Sequence, residues 1–175
     1  MAIMGVYHLG MTPPKHPPPR HLRERPSFLL SQLGFHSDQR FGALLAPLGV
    51  TARQFGILRL LAHTAGRSQQ QLAEELGIHR NVMVGVIDDL EQRGLVERRR
   101  YPTDRRAHAI HLTDAARDLL PRVEGALDAC DDELLAALDP ADRTTLLTLL
   151  QRLADGAGLV PGIHPGYDAI GSEEP

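Results

Sequence analysis

The sequence predicts a mainly α-helical chain with one small β-hairpin set between its helices. Three observations carry this. Apolar residues recur at helical spacing over most of the chain. Two patterns, Thr51-Ala52-Arg53-Gln54 and Ser68-Gln69-Gln70-Gln71, have the form of capping boxes that open helices. After Gly94 the helical period gives way to two short β-tolerant runs around a Pro- and Asp-containing turn.

Each element can be justified in order. From Pro13 to Pro26 six of fourteen residues are proline, mixed with Lys15, Arg20, Arg23 and Arg25. Fixed φ and missing donors forbid a helix there, so residues 1–26 read as an extended or disordered basic arm. Phe28, Leu29, Leu33, Phe41, Leu44 and Leu45 then predict a helix within 27–48, closed by Pro47 and Gly49. Thr51 opens the next helix, with Phe55, Leu58, Leu61 and Ala62 on one face and Gly66 at its end. Ser68 opens a short helix over 69–76, and Gly77 supplies a tight turn. Another helix starts at His79 or Arg80 and runs to Arg93, with Gly94 just past its end.

The runs 95–101 and 106–112 flank Pro102-Thr103-Asp104-Arg105 as a hairpin. Thr113 caps a long helix carrying Ala115, Ala116, Leu119, Leu120, Val123, Leu127, Leu134 and Leu135. Pro121 within it predicts a kink, or a start one turn later. Asp139-Pro140 is an N-cap followed by an N1 proline and opens a last helix to about residue 154. Gly, Pro and acids dominate 157–175, which reads as an acidic tail.

Composition narrows the function classes. The formal charge of −3 argues at first against a polyanionic partner. Its distribution argues otherwise. Residues 1–36 carry four basic groups and one acid, and residues 37–112 carry eleven arginines against eight acids. Residues 113–175 carry four arginines against thirteen acids. A field segregated in this way can steer a polyanion to one surface. All basic residues but Lys15 are arginine, so the donors are bidentate forks suited to phosphate. No run approaches the roughly 18 apolar residues of a membrane span, so no membrane partner is expected. The lone Cys130 excludes an intramolecular disulfide, and the first eleven residues lack the features of a secretory leader.

Two helices joined through Gly77-Ile78 have the length and turn chemistry of a helix-turn-helix, and a hairpin directly after them makes it a winged one. From Arg93 to His108 there are six arginines and two acids. Like charges packed on a two-stranded ribbon repel one another. A polyanion that neutralises them explains Arg98, Arg99, Arg100, Arg105 and Arg106 better than a merely solvated hairpin does. A protruding arginine tip also suits a narrow minor groove.

Leu72-Ala73-Glu74-Glu75-Leu76-Gly77-Ile78, Val86-Ile87-Asp88-Asp89-Leu90-Glu91, Gly94-Leu95-Val96-Glu97-Arg98, and Asp104-Arg105-Arg106 with Leu112-Thr113 together resemble the MarR family of bacterial transcription regulators. The Asp-x-Arg wing followed by Leu-Thr is that family's most characteristic mark. The resemblance implies a cytoplasmic homodimer that binds double-stranded DNA as a repressor and is released by a small-molecule effector. Its helix over 27–48 and its helices over 113–156 would interlock with a second copy, leaving 49–112 as the DNA-binding lobe. The flanking helices are, independently, too leucine-rich to stand exposed.

Roles follow by residue. Arg80 and Asn81 suit guanine and adenine edges in the major groove. Val84 and Val82 suit thymine methyls, although Val82, Met83, Val86, Ile87 and Leu90 also have core spacing. Ser68 and Gln69 stand at a helix N-terminus, a natural phosphate site. Arg106 resembles the wing residue that enters the minor groove, oriented by Asp104, and Arg98 to Arg100 would hold the backbone. Many family members carry Ser, Thr and Arg where this chain has Val82, Val84 and Gly85, which shifts base reading onto Arg80, Asn81 and the wing.

For an effector pocket the candidates are Phe35, His36, Arg40, Phe55 and Arg59, with Phe41 and Leu58 as apolar wall. Cys130 lies in the long C-terminal helix among Asp128, Asp131 and Asp132, and reads as an inert residue of the dimer interface. A redox- or metal-responsive regulator is therefore the weaker alternative. His108 and His111 differ by three on a strand and point to opposite faces. His36 and His63 lie on different helices and could meet at the effector pocket. No metal or cofactor is expected. Gly-x-Ser-x-Gly, a phosphate-cradling Gly-rich loop and His-Glu-x-x-His are all absent from the sequence, which argues against an enzyme. The adjacent pairs Asp88-Asp89 and Asp131-Asp132 splay apart on their helices. A winged helix used only for protein contacts is the other alternative, weakened by the arginines kept on the hairpin.

Overall fold

A computed structural model describes residues 20–100 and 108–169. The chain divides into two compact units, residues 1–36 and 37–175. In the first, a 3-10 turn at Leu22–Glu24 leads into the helix α1, Pro26–Leu45, which continues into the second unit. Leu29, Leu30, Leu33 and Phe35 are exposed along the first part of α1.

The second unit contains the core. After α1 a short 3-10 turn, Ala46–Leu48, ends at Gly49, whose φ of 70° only glycine adopts readily. Then come α2 (Ala52–His63), α3 (Gln69–Leu76), α4 (Arg80–Gln92), β1 (Val96–Arg100), β2 (His108–Leu112), α5 (Asp114–Leu134), α6 (Pro140–Gly156) and the short α7 (Gly166–Ala169). The strands pair antiparallel, Val96 opposite Leu112 and Arg100 opposite His108.

Both expected capping boxes form. Thr51 and Gln54 satisfy each other's backbone N–H groups, as do Ser68 and Gln71. The helix ends follow local chemistry closely, with α3 matching its expected span and α4 starting after His79. The strand β1 starts at Val96, one residue later than expected, and residues 101–107 of the expected hairpin lie outside the described residues.

Four differences are informative. Leu58 and Leu61 are buried as expected, but Ala62 is exposed and Ile57 is fully buried. The helix α2 packs against both α5 and β2, so its apolar stripe is wider than one periodic face. Arg67 pairs with the outer side of β2: the Ile110 N–H donates to the Arg67 carbonyl at 2.8 Å, and Gly66 donates to the Ile110 carbonyl at 3.3 Å. The helix α5 runs through Pro121 with its start at Asp114. Finally, residues expected to be a plain tail are folded as far as Tyr167, and Ile163 and Tyr167 pack on the core.

The core joins Leu45 and Val50 to Phe55, Ile57, Leu58 and Leu61 of α2, Leu72 and Leu76 of α3, and Met83, Ile87 and Leu90 of α4. Ile110, Leu112, Ala116, Leu119 and Val123 close it from the other side. The helix α6 buries none of its residues, and Leu147, Leu149, Leu150 and Leu153 stand exposed on it. Among the described residues no single helix is long and apolar enough to cross a membrane.

Thr113 pins the hairpin to α5. Its hydroxyl donates to the Gly94 carbonyl at 2.6 Å and accepts from the Ala116 N–H at 3.3 Å, capping the helix. Thr113→Ala should lower unfolding free energy by about 1 kcal/mol in urea titrations, and Thr113→Ser should retain most of it. Equal stability of Thr113→Ala and the parent chain would contradict this role.

Candidate nucleic-acid interface

The short helix α3 starts at the Ser68 capping box. The Ser68 hydroxyl accepts from the Gln71 N–H at 3.2 Å, and the Ser68 N–H donates to the Gln71 side chain at 2.9 Å. Gln69 is half-buried beside it, so both expected phosphate-site residues lie at a well-formed helix start. The turn at Gly77, with φ 63°, lets the Ile78 N–H return to the Ala73 carbonyl at 2.9 Å while Ile78 is buried.

This turn sets the start of α4. His79 caps it, its Nδ1 accepting from the Asn81 N–H at 3.3 Å. Sequence reasoning placed His79 at the boundary but did not see it as the cap, because His is not among the preferred capping residues. Arg80 and Asn81 are exposed on the first turn, followed on the same open side by Val84 and Gly85. Met83, Ile87 and Leu90 are fully buried, and Val82 and Val86 are half-buried. The helix therefore shows a polar N-terminal corner and buries an apolar stripe.

The second half of α4 is tied down by its acids. Asp89 accepts from Gln54 Nε2 at 2.6 Å and from Arg93 at 3.3 Å. Gln54 thus serves two helices, since its Oε1 also accepts from the Thr51 N–H at 2.9 Å. Arg93 reaches back to the Gly49 carbonyl ahead of α2. On the other side, the Arg98 guanidinium of β1 is paired with both Asp88 and Glu91. Its backbone N–H donates to Glu91 at 3.2 Å. Burial disfavours the Arg98 charge, but the Asp88 hydrogen bond and the Glu91 and Asp88 charges outweigh this and hold its pKa above the ordinary value.

Arg98 thereby departs from its neighbours. Its side chain is 23% exposed and faces α4, because alternate residues of a strand share a face and Val96 on that face is buried. Arg99 is 58% exposed and rests on Glu97, and Arg100 is exposed at the last described position of β1. Of the three arginines expected at the DNA backbone, Arg98 differs in pairing its guanidinium with Asp88 and Glu91 within the chain. Asp104, Arg105 and Arg106, the expected wing tip, lie outside the described residues.

The expected effector residues fall in both units. Phe35 and His36 are exposed on the first unit. In the second unit Arg40 pairs with Glu133 at 2.6 Å, and Phe55 is core, edge-on to Phe41 at 6.2 Å between ring centroids. Leu58 is also core. Arg59 lies 6.0 Å over the Phe55 ring, pairs with Glu124 at 3.7 Å, and lines a cleft of about 390 Å³. Ala62, His63, Leu112, Arg117, Leu120 and Pro121 complete that cleft, which the sequence did not indicate. Cys130 is buried within the subunit, its Sγ 3.9 Å from the Ser37 carbonyl, so its burial needs no second copy. Among the described residues no three His, Cys, Asp or Glu side chains converge on a metal-sized site.

A family profile for the MarR family matches residues 48–107. A protein of Thauera aromatica, assigned as a transcriptional regulatory protein for the hcr operon, is 35% identical over 133 residues, spanning 71% of this chain and 80% of that one. The transcriptional repressor CouR bound to a 23-mer DNA duplex is 36% identical and superposes with a TM-score of 0.67, covering 76% of this chain and 94% of its own. CouR from Rhodococcus jostii RHA1 bound to p-coumaroyl-CoA is 29% identical, with a TM-score of 0.63 and coverage of 78% and 96%. The helix-turn-helix, its hairpin, and a relative matched over most of its length agree: the chain belongs to the MarR family of transcriptional regulators.

Proposed function

We propose that the chain is a homodimeric repressor that reads two half-sites of double-stranded DNA and leaves them when a small molecule binds. One observation carries the reading. The helix α4 offers Arg80, Asn81 and Val84 outward while every acid on its second half is turned to Gln54, Arg93 or Arg98. Acids left pointing outward beside the reading corner would repel phosphate. Held in pairs with Arg93 and Arg98, they fix the helix and their charge is compensated beside the corner that carries Arg80.

In this reading the first turn of α4 enters the major groove, with Arg80 and Asn81 on base edges and Val84 against thymine methyls. Ser68 and Gln69 bring the N-terminus of α3 to a phosphate. Asp104, Arg105 and Arg106 carry the wing to the minor groove, and Arg99 and Arg100 lie along the backbone. Arg98 acts as a positioning residue that fixes β1 against α4. A second copy covers the leucines left bare on α1 and α6, and pairing two lobes supplies two half-sites. The domain division is correspondingly an arm over 1–26, a dimerisation helix over 27–48, a reading lobe over 49–112 and dimerisation helices over 113–156. The chain works without catalysis, in the cytoplasm where the DNA is. The effector reading draws on CouR, which is bound to p-coumaroyl-CoA in one solved structure.

Salt dependence separates the arginines. Each phosphate contact contributes about −0.9 to the slope of log affinity against log salt, and a dimer makes each contact twice. Arg100→Gln and Arg106→Ala should each weaken binding and flatten that slope by roughly 2. Arg98→Gln should lower affinity with the slope unchanged. An Arg98→Gln slope as flat as that of Arg100→Gln would return Arg98 to the phosphate set, and an unaltered Arg106→Ala slope would remove the wing from it.

Base reading is tested separately by selection of bound sequences from random DNA. Asn81→Ala should relax the preferred base at one position in each half-site and leave non-specific binding at low salt intact. An unchanged consensus would contradict the role of Asn81. A parent chain that selects no DNA at all would favour a protein-binding winged helix.

A further inference from the structure

Gln54 does more than close the capping box of α2. The box needs only a side-chain acceptor three residues after Thr51, and glutamate or glutamine supplies it equally. The other end of the amide distinguishes them here. Gln54 Oε1 accepts from the Thr51 N–H at 2.9 Å and from Arg93 Nη1 at 3.3 Å. Its Nε2 donates to Asp89 Oδ2 at 2.6 Å, and the same Asp89 oxygen accepts from Arg93 Nη1 at 3.3 Å. Gln54, Asp89 and Arg93 thus close a triangle of hydrogen bonds that one orientation of the amide satisfies.

Arg93 extends the triangle to the corner between α1 and α2. Its Nη2 donates to the carbonyl of Gly49, which has a φ of 70° just past the end of α1. A Cβ at residue 49 would lie 3.3 Å from that Nη2. The whole joint lies inside the second unit. It grips α4 at Asp89, about 14 Å along the axis from Arg80. Met83 and Ile87, fully buried between the two, make the pivot. A shift of α4 at Asp89 is then matched by an opposite shift of similar size at Arg80 and Asn81. Hydrogen bonds to base edges fail over about half an ångström. The attraction of arginine for phosphate falls off over about 8 Å at physiological salt. Loosening the joint therefore erodes base reading before it erodes general DNA binding.

We propose that Gln54 is a positioning residue for sequence specificity: its amide, bridging Thr51, Asp89 and Arg93, sets the angle at which the Arg80–Asn81 corner meets base edges. The role rests on the DNA reading above. Gln54→Glu isolates it, because the change is nearly isosteric and keeps the acceptor for Thr51 and Arg93. It turns a carboxylate oxygen toward Asp89, so like charges replace a hydrogen bond. Adding Asp89→Asn returns a donor to that contact and restores the parent's net charge over the three side chains.

The test measures affinity of the full-length chain for a duplex selected by the parent and for an unrelated duplex. It is run at a temperature where circular dichroism shows every variant folded. Gln54→Glu should weaken binding to the selected duplex about tenfold. Binding to the unrelated duplex should stay within about twofold, since the added charge lies more than a Debye length from the reading corner. Adding Asp89→Asn should recover most of the loss. Gln54→Leu, which removes the amide without adding charge, should lose selectivity too. Parent-like selectivity of Gln54→Glu or Gln54→Leu overturns the proposal, as does a Gln54→Glu loss that Asp89→Asn leaves in place. An equal loss on both duplexes also overturns it, because a general defect acts on both alike. A parent chain that selects no duplex overturns the DNA reading itself, and the positioning role with it.

Discussion

In the proposed reading α4 must be rigidly held and openly displayed at once, and it meets both demands by dividing them along its length. Its first turn keeps Arg80 and Asn81 exposed, while Met83, Ile87 and Leu90 are sealed into the core. The acids of its second half then form a belt of ties. Asp89 links it through Gln54 and Arg93 to the start of α2, and Asp88 with Glu91 links it through Arg98 to β1. Removing one partner from such a part-buried set leaves the others under-satisfied, so the ties act as a group rather than as separate surface pairs.

That belt changes the meaning of the charge pattern. Three of the acids that dilute the basic middle segment are held by Gln54, Arg93 and Arg98, and those two arginines are spent with them. Of the acids of α5, Asp114, Glu124, Asp132 and Glu133 are paired with arginines as well. Asp128, Asp131, Asp139 and Asp142 are exposed on α5 and α6 or at their ends. Basic and acidic character are thereby separated by element, which favours one orientation on a polyanion.

Local chemistry made most of the fold legible. The Thr51 and Ser68 capping boxes, the glycines at 49, 77 and 94, and the Thr113 and Asp139 caps each act within four residues, and each lies where the sequence placed it. What escaped is non-local. Gln54 and Asp89 are 35 residues apart, and nothing in either motif announces the bond between them. The Arg67 bridge to Ile110 leaves no periodic signature because it involves one residue pair. Arg98 looked like its neighbours in a run of three arginines, and only the strand's alternation and the nearness of α4 set it apart. The C-terminal segment was misread because its Gly, Pro and acidic composition masks two anchors, Ile163 and Tyr167. In the reading corner the identities of Arg80, Asn81 and Val84 and their exposure were legible, since they follow from helical phase alone.

Hydrogen exchange of the chain with and without a selected duplex tests the central claim most directly. The account predicts added protection at the starts of α3 and α4, around residues 68–71 and 80–84, and in the hairpin. The second half of α4 should be slow to exchange in both states, because its ties exist before DNA arrives. Protection confined to α5 and α6, or a second half of α4 that becomes ordered only on the duplex, would contradict it.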